Sequence, residues 1–410
     1  DGAPAPADIG YSLTRRTGLP HRMAVSGRDR DELLRGLRAF ADGLPASGVA
    51  EGRAAEGATA VLFTGQGAQR PGMGRELHAR FGVFAEEFDR VAALIDRRLE
   101  QPLVDVLWAE AGSDRAELLD QTLYTQCATF ALEVALYRLF EHWGLAPDYL
   151  LGHSIGELAA AHVAGVLSLE DSCELVAARG SLMQALPRTG AMVSVQAAES
   201  RVAPLVAARA GAVDIAGVNG PAATVVAGEE GAVEEIAAQL REEGVKTRRL
   251  RVSHAFHSPL IEPMLEDFRQ VAAGLTYRDP AIPVVSNVTG CVVAAGEVNT
   301  ADYWVEHARR AVRFLDGVRT LEHAGVTRCL ELGPDGVLTA AAREAYASPA
   351  AFVAGLRPDR DEPSTAVAAL AEMHVHGETV DWEAFFGGGA VRGPLPRYAF
   401  QRRPYPIAHA

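Results

Sequence analysis

The sequence lacks an apolar stretch long enough to span a bilayer. The best candidate, Leu158 to Leu169, is short and carries His162 and Ser168. The first residues do not combine a basic start with an apolar run, so we expect neither a secretory signal nor a membrane partner. Four widely spaced cysteines show no paired spacing and predict reduced, buried thiols in a cytoplasmic protein: Cys127, Cys173, Cys291 and Cys329.

Net positive charge is also absent. The formal net charge of −14 argues against nucleic acid as the main partner. Binding to an acidic partner would need a local basic patch, because the overall charge opposes it. No internal repeat and no heptad pattern occurs, and no cluster of His, Cys and carboxylate residues has zinc spacing. We therefore expect no metal ion.

What is present predicts a globular protein of two or three structural units, since the chain has 410 residues and 48% apolar composition. Because it starts at Asp1 and ends in linker-like sequence, we expect a piece of a larger polypeptide. The composition divides the chain into an opening unit (1–57), a large α/β body in two pieces (58–189 and 253–350), a small inserted unit (190–252) and a closing region (351–410).

The inserted unit alternates short apolar runs with amphipathic segments. Strands are predicted at 192–195, 214–218 and 224–227, with helices around 199–210 and 231–243. This alternation in a small stretch predicts a compact α+β unit, which we interpret as ferredoxin-like. In the opening unit, the Gly/Ala/Glu-rich stretch 48–57 is interpreted as a connector.

One pentapeptide, Gly152-His153-Ser154-Ile155-Gly156, stands between a buried strand at 149–151 and a helix beginning near Glu157. A serine between two glycines at a strand-to-helix junction is the nucleophile-elbow pattern. The serine hydroxyl projects at the helix N-terminus, where backbone N–H groups and the helix dipole stabilise a developing oxyanion. The pentapeptide alone occurs often by chance, so the prediction depends on the flanking strand and helix.

A serine nucleophile needs a general base, and twelve histidines compete for that role. His257 lies where the chain returns from the inserted unit to the body, so its imidazole is placed to reach Ser154. His254 is the rival, with loop packing or pocket lining as its alternative role. His153 is next to the nucleophile in a tight turn, so its side chain is expected to point elsewhere.

Four motifs in order resemble the acyltransferase domain of a modular type I polyketide synthase, within the malonyl-CoA:acyl-carrier-protein transacylase family. They are Gly65-Gln66-Gly67-Ala68-Gln69, Gly152 to Glu157, Arg179 and His254-Ala255-Phe256-His257. The resemblance covers nearly the whole chain: residues 1–57 are similar to a ketosynthase-to-acyltransferase linker, and Leu395–Tyr405 to the linker that follows. The family implies an α/β-hydrolase-like large subdomain with a parallel-sheet core and a small ferredoxin-like subdomain.

The resemblance also implies a role for each motif residue. Ser154 would be acylated, with His257 as general base and later general acid. The backbone N–H groups of Gln66 and Ile155 would form the oxyanion hole. Gln66 and His153 would also contact the substrate. No cofactor is implied, because acyl-CoA is a substrate and phosphopantetheine belongs to the acceptor protein.

The family orients its imidazole with a backbone carbonyl instead of a carboxylate. We expect that carbonyl from the segment 307–313. Relatives commonly carry Asn where this chain has His307, so the orienting residue within the segment is left open.

Arg179 lies on a predicted helix whose neighbours face a core, so its guanidinium needs an anionic partner. A substrate carboxylate held by two parallel hydrogen bonds would satisfy it; a structural ion pair is the alternative. In this family His-Ala-Phe-His accompanies malonyl and Tyr-Ala-Ser-His accompanies methylmalonyl. Phe256 therefore predicts malonyl, since its ring fills the space of a 2-methyl group. A group of that size is worth about 1–3 kcal/mol, so selection should be incomplete.

The sequence thus predicts a ping-pong acyltransferase that moves a malonyl group from malonyl-CoA, through Ser154, to the phosphopantetheine thiol of an acyl carrier protein. A ketosynthase domain of the same megasynthase would be its neighbour. Methylmalonyl or another dicarboxylic extender unit is one alternative. A serine hydrolase or proofreading thioesterase is another, although no acidic triad member stands in a recognisable context. A catalytically idle docking module is the third.

Overall fold

The structure, a computed structural model, describes residues 5–391 together with residues 393 and 395. The strands in this part of the chain are β1 His21–Val25, β2 Val49–Arg53, β3 Ala58–Phe63, β4 Tyr149–Gly152, β5 Gly190–Val195, β6 Val213–Gly220, β7 Ala223–Glu229, β8 Thr247–Arg249, β9 Val284–Val285, β10 Val326–Leu332 and β11 Ala351–Ala354.

The α-helices of the same part are α1 Pro6–Thr14, α2 Arg30–Ala41, α3 Arg75–Arg80, α4 Gly82–Ile95, α5 Leu103–Leu107, α6 Asp114–Glu117, α7 Thr122–His142, α8 Ile155–Val163, α9 Leu169–Gln184, α10 Glu199–Ala207, α11 Glu230–Glu242, α12 Leu265–Ala273, α13 Ala301–Arg309, α14 Phe314–His323, α15 Val337–Ala345, α16 Glu362–Val375 and α17 Trp382–Phe386. None of these helices combines the length and apolarity that a membrane crossing requires.

A five-stranded sheet of order β11-β10-β3-β4-β9 forms the centre of the large body, and all its neighbouring strands are parallel. β3 shows why both faces are covered. Val61 and Phe63 point into the core formed with α7, α8 and α9, whereas Ala60 and Leu62 point into a second core with α14 and α15. The two-residue period of a strand thus divides one apolar run between two cores.

The inserted unit is an antiparallel four-stranded sheet of order β6-β7-β5-β8 with α10 and α11 on one face. Its β-α-β-β-α-β order confirms the ferredoxin-like prediction. One edge is joined to the body, because Val218 N–H donates to the carbonyl of Val312 at 2.9 Å and Val312 N–H donates to Ala216 at 3.0 Å. β8 forms the opposite edge of this sheet.

The structure corrects three expectations. The closing region does not start at residue 351, because β11 is the edge strand of the large sheet, paired with β10. The stretch 48–57 is not only a connector, since β2 lies inside it and pairs antiparallel with β1. The cysteines are all free, but Cys291 is exposed and only the other three are buried.

The two ends of the chain pack together in the described part. Ala50 of β2 shares a small apolar cluster with Ala371 and Val375 of α16. The backbone N–H of Gly393 donates to Ser12 Oγ of α1 at 2.9 Å. Apart from Leu395, the predicted post-acyltransferase linker segment 395–405 lies outside the described residues.

Candidate active site

Ser154 lies in a strained turn between β4 and α8. Its backbone has φ 53° and ψ −114°, a conformation that costs on the order of 1–3 kcal/mol for a non-glycine residue. The flanking glycines are required by close approach: a Cβ on Gly152 would lie 2.1 Å from the Glu157 nitrogen, and one on Gly156 would lie 2.2 Å from the Phe63 oxygen. The predicted elbow is therefore present, with the helix beginning at Ile155.

Ser154 and His257 meet although they are far apart in sequence. Ser154 Oγ lies 2.8 Å from His257 Nε2, and His257 Nδ1 lies 2.7 Å from the carbonyl oxygen of Arg310. A carbonyl only accepts, so Nδ1 carries the proton and Nε2 accepts from the serine hydroxyl. Arg310 lies within the segment 307–313 from which the orienting carbonyl was expected.

His257 is held in its neutral form. Burial, followed by the positive charge of Arg179, lowers the pKa of His257 to about 3. The imidazole is therefore neutral at pH 7, and its unprotonated Nε2 is available as a base. His257 also has a positive φ of 54°, so both members of the pair have left-handed backbone.

Arg179 is a buried cation with an incomplete set of partners. It is 1% exposed on α9, and its Nη2 donates to Ser154 Oγ at 3.0 Å. Its Nε has no hydrogen-bond partner, and it forms no ion pair with a carboxylate in the described part of the chain. Burial lowers the pKa of Arg179 to about 10, so it is charged at neutral pH. Such a charge needs an anionic partner, which the described residues do not supply.

The loop after β3 carries Gln66. Its side-chain Oε1 accepts from Gln126 Nε2 of α7 at 3.0 Å, and Gln126 is fully buried with its own Oε1 unpaired. The backbone N–H groups of Gln66 and Ile155 donate to no acceptor among the described residues. Gln126 is a buried residue of this site to which the sequence analysis assigned no role.

The remaining predicted residues surround this centre. His153 Nε2 lies 2.9 Å from Asn219 Oδ1 of β6, and its contact with a substrate stays a prediction. His254 has both ring nitrogens occupied, by Ser253 Oγ and by the Leu186 carbonyl, each at 2.9 Å. The His254 ring is therefore a packing group. Phe256 is 7% exposed and belongs to the main core, with its ring centroid 6.2 Å from that of His254.

A polar cluster behind the elbow was missed by sequence reasoning. Glu157 is fully buried; it accepts from the Asn287 N–H at 2.6 Å and from the Tyr303 hydroxyl. Burial raises the pKa of Glu157 to about 8, so it is protonated at neutral pH. His307 Nε2 lies 3.7 Å from this carboxyl group. The available signal was position: Asn287 follows β9 at the carboxyl edge of the parallel sheet, where the elbow also lies.

These contacts define a serine hydroxyl that faces a neutral imidazole and a charged guanidinium in one buried site. The imidazole can take the hydroxyl proton during attack on a carbonyl carbon. The guanidinium can hold an anion next to the bond that forms. Among the described residues, no group of three or more His, Cys, Asp or Glu side chains could hold a metal ion.

Comparison with known proteins agrees with this chemistry. The model of the acyl transferase domain family matches residues 61–380. The chain is 53% identical to the spectinabilin polyketide synthase system protein NorB of Streptomyces orinoci over 412 residues, which is 99% of this chain and 19% of that protein. It thus spans about a fifth of the length of that relative.

Solved structures give the same result. The acyltransferase domain from the second module of the salinomycin polyketide synthase superposes with a TM-score of 0.86 at 53% identity, covering 93% of this chain and 90% of that one. MCAT from Streptococcus pneumoniae superposes with a TM-score of 0.68 at 31% identity, covering 77% and 99%. The chain therefore belongs to the acyl transferase domain family. Within that family it is the acyltransferase domain of a modular polyketide synthase.

Proposed function

We propose that this domain selects malonyl from malonyl-CoA and transfers it to the phosphopantetheine thiol of an acyl carrier protein, with Ser154 and His257 as a catalytic dyad. The observation that carries the proposal is the buried Arg179 guanidinium, which lies 3.0 Å from Ser154 Oγ without a carboxylate partner in the described part of the chain. A malonyl thioester supplies the missing carboxylate. Its thioester carbonyl carbon is two bonds from the carboxylate carbon, so Arg179 can hold the carboxylate while Ser154 attacks the carbonyl.

In the first step, His257 Nε2 takes the hydroxyl proton as Ser154 Oγ bonds to the thioester carbonyl carbon. The N–H groups of Gln66 and Ile155, which donate to no acceptor among residues 5–391, 393 and 395, stabilise the tetrahedral oxyanion. When the carbon–sulfur bond breaks, His257 returns its proton to the coenzyme A thiolate. The Arg310 carbonyl keeps the ring oriented throughout.

In the second step, the carrier-protein thiol gives its proton to His257 and attacks the malonyl-serine ester. The carbon–oxygen bond breaks, and Ser154 recovers the proton. Neither step requires a metal ion or a prosthetic group on this domain, because the phosphopantetheine belongs to the carrier protein. Arg179 holds the free carboxylate in both steps and directs the ester towards the incoming thiol instead of water.

Malonyl is the extender unit that Phe256 favours. Its ring is buried directly beside His257 in sequence and packs into the main core, so it has little freedom to make room for a 2-substituent. Methylmalonyl stays the alternative, because one additional methyl group changes binding by only about 1–3 kcal/mol.

The chain has a local basic patch that fits the carriers of the acyl group. Lys246, the single lysine of the sequence, is exposed with Arg248 and Arg251, and none of the three forms an ion pair among the described residues. We call them the cationic strip. Lys246 directly precedes β8, Arg248 lies in it and Arg251 follows it. Lys246 and Arg248 help to line a surface concavity of about 670 Å³.

Arg248 lies on the face of the small sheet that packs against the large body. Arg248 pairs with Ser194, and Leu250 and Met192, the next residues on that face, pack against the core of the large body. We assign the strip to the phosphate groups that coenzyme A and the carrier protein both carry on the pantetheine arm. The flanks, 1–57 and the closing region, would then join this domain to a ketosynthase and to the rest of the synthase.

The test is incubation with malonyl-CoA, followed by intact-mass measurement and then addition of holo carrier protein. We expect a malonyl adduct on Ser154 that moves to the carrier protein. Ser154→Ala should abolish it, whereas Ser181→Ala, an exposed serine on α9, should not. Release of free malonate in place of malonyl-carrier protein would identify a hydrolase instead.

A further inference from the structure

Asn287 is a buried residue whose side-chain amide hydrogen-bonds to the backbone of the turn that carries Ser154. It is 2% exposed, in the segment after β9. Its Oδ1 accepts from the Ser154 N–H at 2.7 Å, and its Nδ2 donates to the Gly152 carbonyl at 2.7 Å. One side chain therefore holds backbone groups on both sides of His153, and the donor and acceptor ends of the amide cannot be exchanged.

The backbone of Asn287 is bound as firmly. Its N–H donates to Glu157 Oε2 at 2.6 Å, and its carbonyl accepts from the Arg313 N–H at 2.8 Å. Arg313 begins the turn into α14 shortly after Arg310, whose carbonyl orients His257. Asn287 thus links the turn that carries Ser154 to the segment whose carbonyl orients His257.

Ser154 needs such a support because of its backbone. At φ 53° the residue is in a conformation that persists only where its surroundings over-determine it. The Ser154 N–H points to Asn287 Oδ1 and to no other acceptor in the described part of the chain. Without the amide, the N–H of half-buried Ser154 would lose its acceptor, and the turn would lose a contact that supports its geometry.

We propose that Asn287 is a positioning residue that holds Ser154 Oγ in line with His257 Nε2. The inference rests on the proposed function only in taking Ser154 as the nucleophile. A displacement of about 1 Å at a reacting group can cost about 100-fold in rate. Loss of the amide should therefore slow acylation of Ser154 without weakening the binding of the thioester, which Arg179 and the pantetheine contacts supply.

The test compares Asn287→Ala and Asn287→Asp with native protein. Asn299→Ala serves as the matched control, because Asn299 bonds to Asp279 Oδ1 at 2.8 Å in a loop before α13. Single-turnover acylation by malonyl-CoA gives the maximal rate and the half-saturating concentration separately. We expect Asn287→Ala to lower the maximal rate about 100-fold with an unchanged half-saturating concentration. Asn287→Asp, which keeps the acceptor and loses the donor, should fall between.

A second measurement is independent of substrate recognition. A small fluorophosphonate labels an activated serine without using Arg179 or a pantetheine site, so its rate reports the geometry of Ser154 and His257 alone. We expect the labelling rate to fall in the same order, from native protein through Asn287→Asp to Asn287→Ala. The circular dichroism spectrum and Tm of each variant are measured first to show that it is folded. Equal labelling rates for native protein and either folded Asn287 variant would overturn the inference. A variant that changes only the half-saturating concentration of malonyl-CoA, with an unchanged maximal acylation rate, would also overturn it. If native protein is labelled but takes no malonyl group, the proposed substrate fails and the positioning role stands.

Discussion

The imidazole of His257 is oriented by the main chain: its Nδ1 lies 2.7 Å from the carbonyl oxygen of Arg310. A carbonyl fixes the tautomer as a carboxylate would, but it brings no full negative charge to stabilise an imidazolium. Burial, followed by the positive charge of Arg179, lowers the pKa of His257 to about 3, and the Arg310 carbonyl offsets only part of this effect. The base is therefore unprotonated across the physiological range.

This gives a prediction for pH dependence. We expect the single-turnover acylation rate to show no loss between about pH 8 and pH 5, because His257 stays neutral. The folded pKa of about 3 is below the ordinary value of 6.5, so His257 contributes stability above pH 6.5 that is lost as the pH falls through the folded value. We therefore expect activity at low pH to be lost only as the protein unfolds, and circular dichroism at each pH measures that unfolding. An inflection near pH 6.5 with the fold intact would contradict this assignment.

Arg179→Ala should remove the preference for dicarboxylic acyl groups. A hydrogen bond to a charged group is worth about 1.5–3 kcal/mol, so the loss of a bidentate pair should lower kcat/KM for malonyl-CoA by at least about 100-fold. Acetyl-CoA, which lacks the carboxylate, should lose much less. Competition between the two thioesters, read by mass of the loaded protein, measures the ratio.

Two variants control the Arg179 experiment. Arg179→Lys keeps the charge without the planar fork and should recover only part of the ratio. Arg201→Ala removes an exposed arginine paired with Glu243 on the small subdomain and should change nothing. An unaltered malonyl-to-acetyl ratio in Arg179→Ala would show that another group binds the carboxylate.

Phe256→Ser should admit methylmalonyl. On the proposal that the Phe256 ring fills the position of a 2-methyl group, its removal makes room for that group. We then expect methylmalonyl use relative to malonyl to rise about 10-fold, the effect of a methyl-sized group. The same change leaves a cavity in the main core, so stability should fall by about 3–5 kcal/mol, measurable by denaturant unfolding. Phe352→Ser, in the distant edge strand β11, is the control that loses a phenylalanine without opening the pocket. No rise in methylmalonyl use would move the selectivity to other residues.

Charge reversal in the cationic strip should selectively weaken the binding of partners that carry phosphate. For the double variant Arg248→Glu, Arg251→Glu we expect KM to rise about 10-fold for malonyl-CoA and for the carrier protein, and less at high salt. The malonyl thioester of N-acetylcysteamine carries no phosphate and should react as with native protein. Arg38→Glu, an exposed change on α2, is the control. An equal loss with the phosphate-free thioester would mean that the variant damages the site itself.

Much of the fold was accessible from local pattern. β4 was predicted from a short apolar run at 149–151 and ends one residue later, at Gly152. The ferredoxin-like unit followed from the alternation of strands and helices. β11 was not recognised, because Ala351–Ala354 is short and only half buried, and only its pairing with β10 makes it part of the large sheet. β2 was missed in the same way, since its glycine and glutamate obscure the strand pattern.

The sequence by itself determined the elbow, because strand, glycines, serine and helix are contiguous and their steric demands act over a few residues. Only the tertiary structure decided that the Ser154 hydroxyl forms a hydrogen bond with His257, 103 residues away, and that Arg310 supplies the orienting carbonyl. It also decided that Asn287 supports the nucleophile turn. These contacts depend on which strands lie side by side, and sheet order is a property of long-range packing that no local pattern encodes.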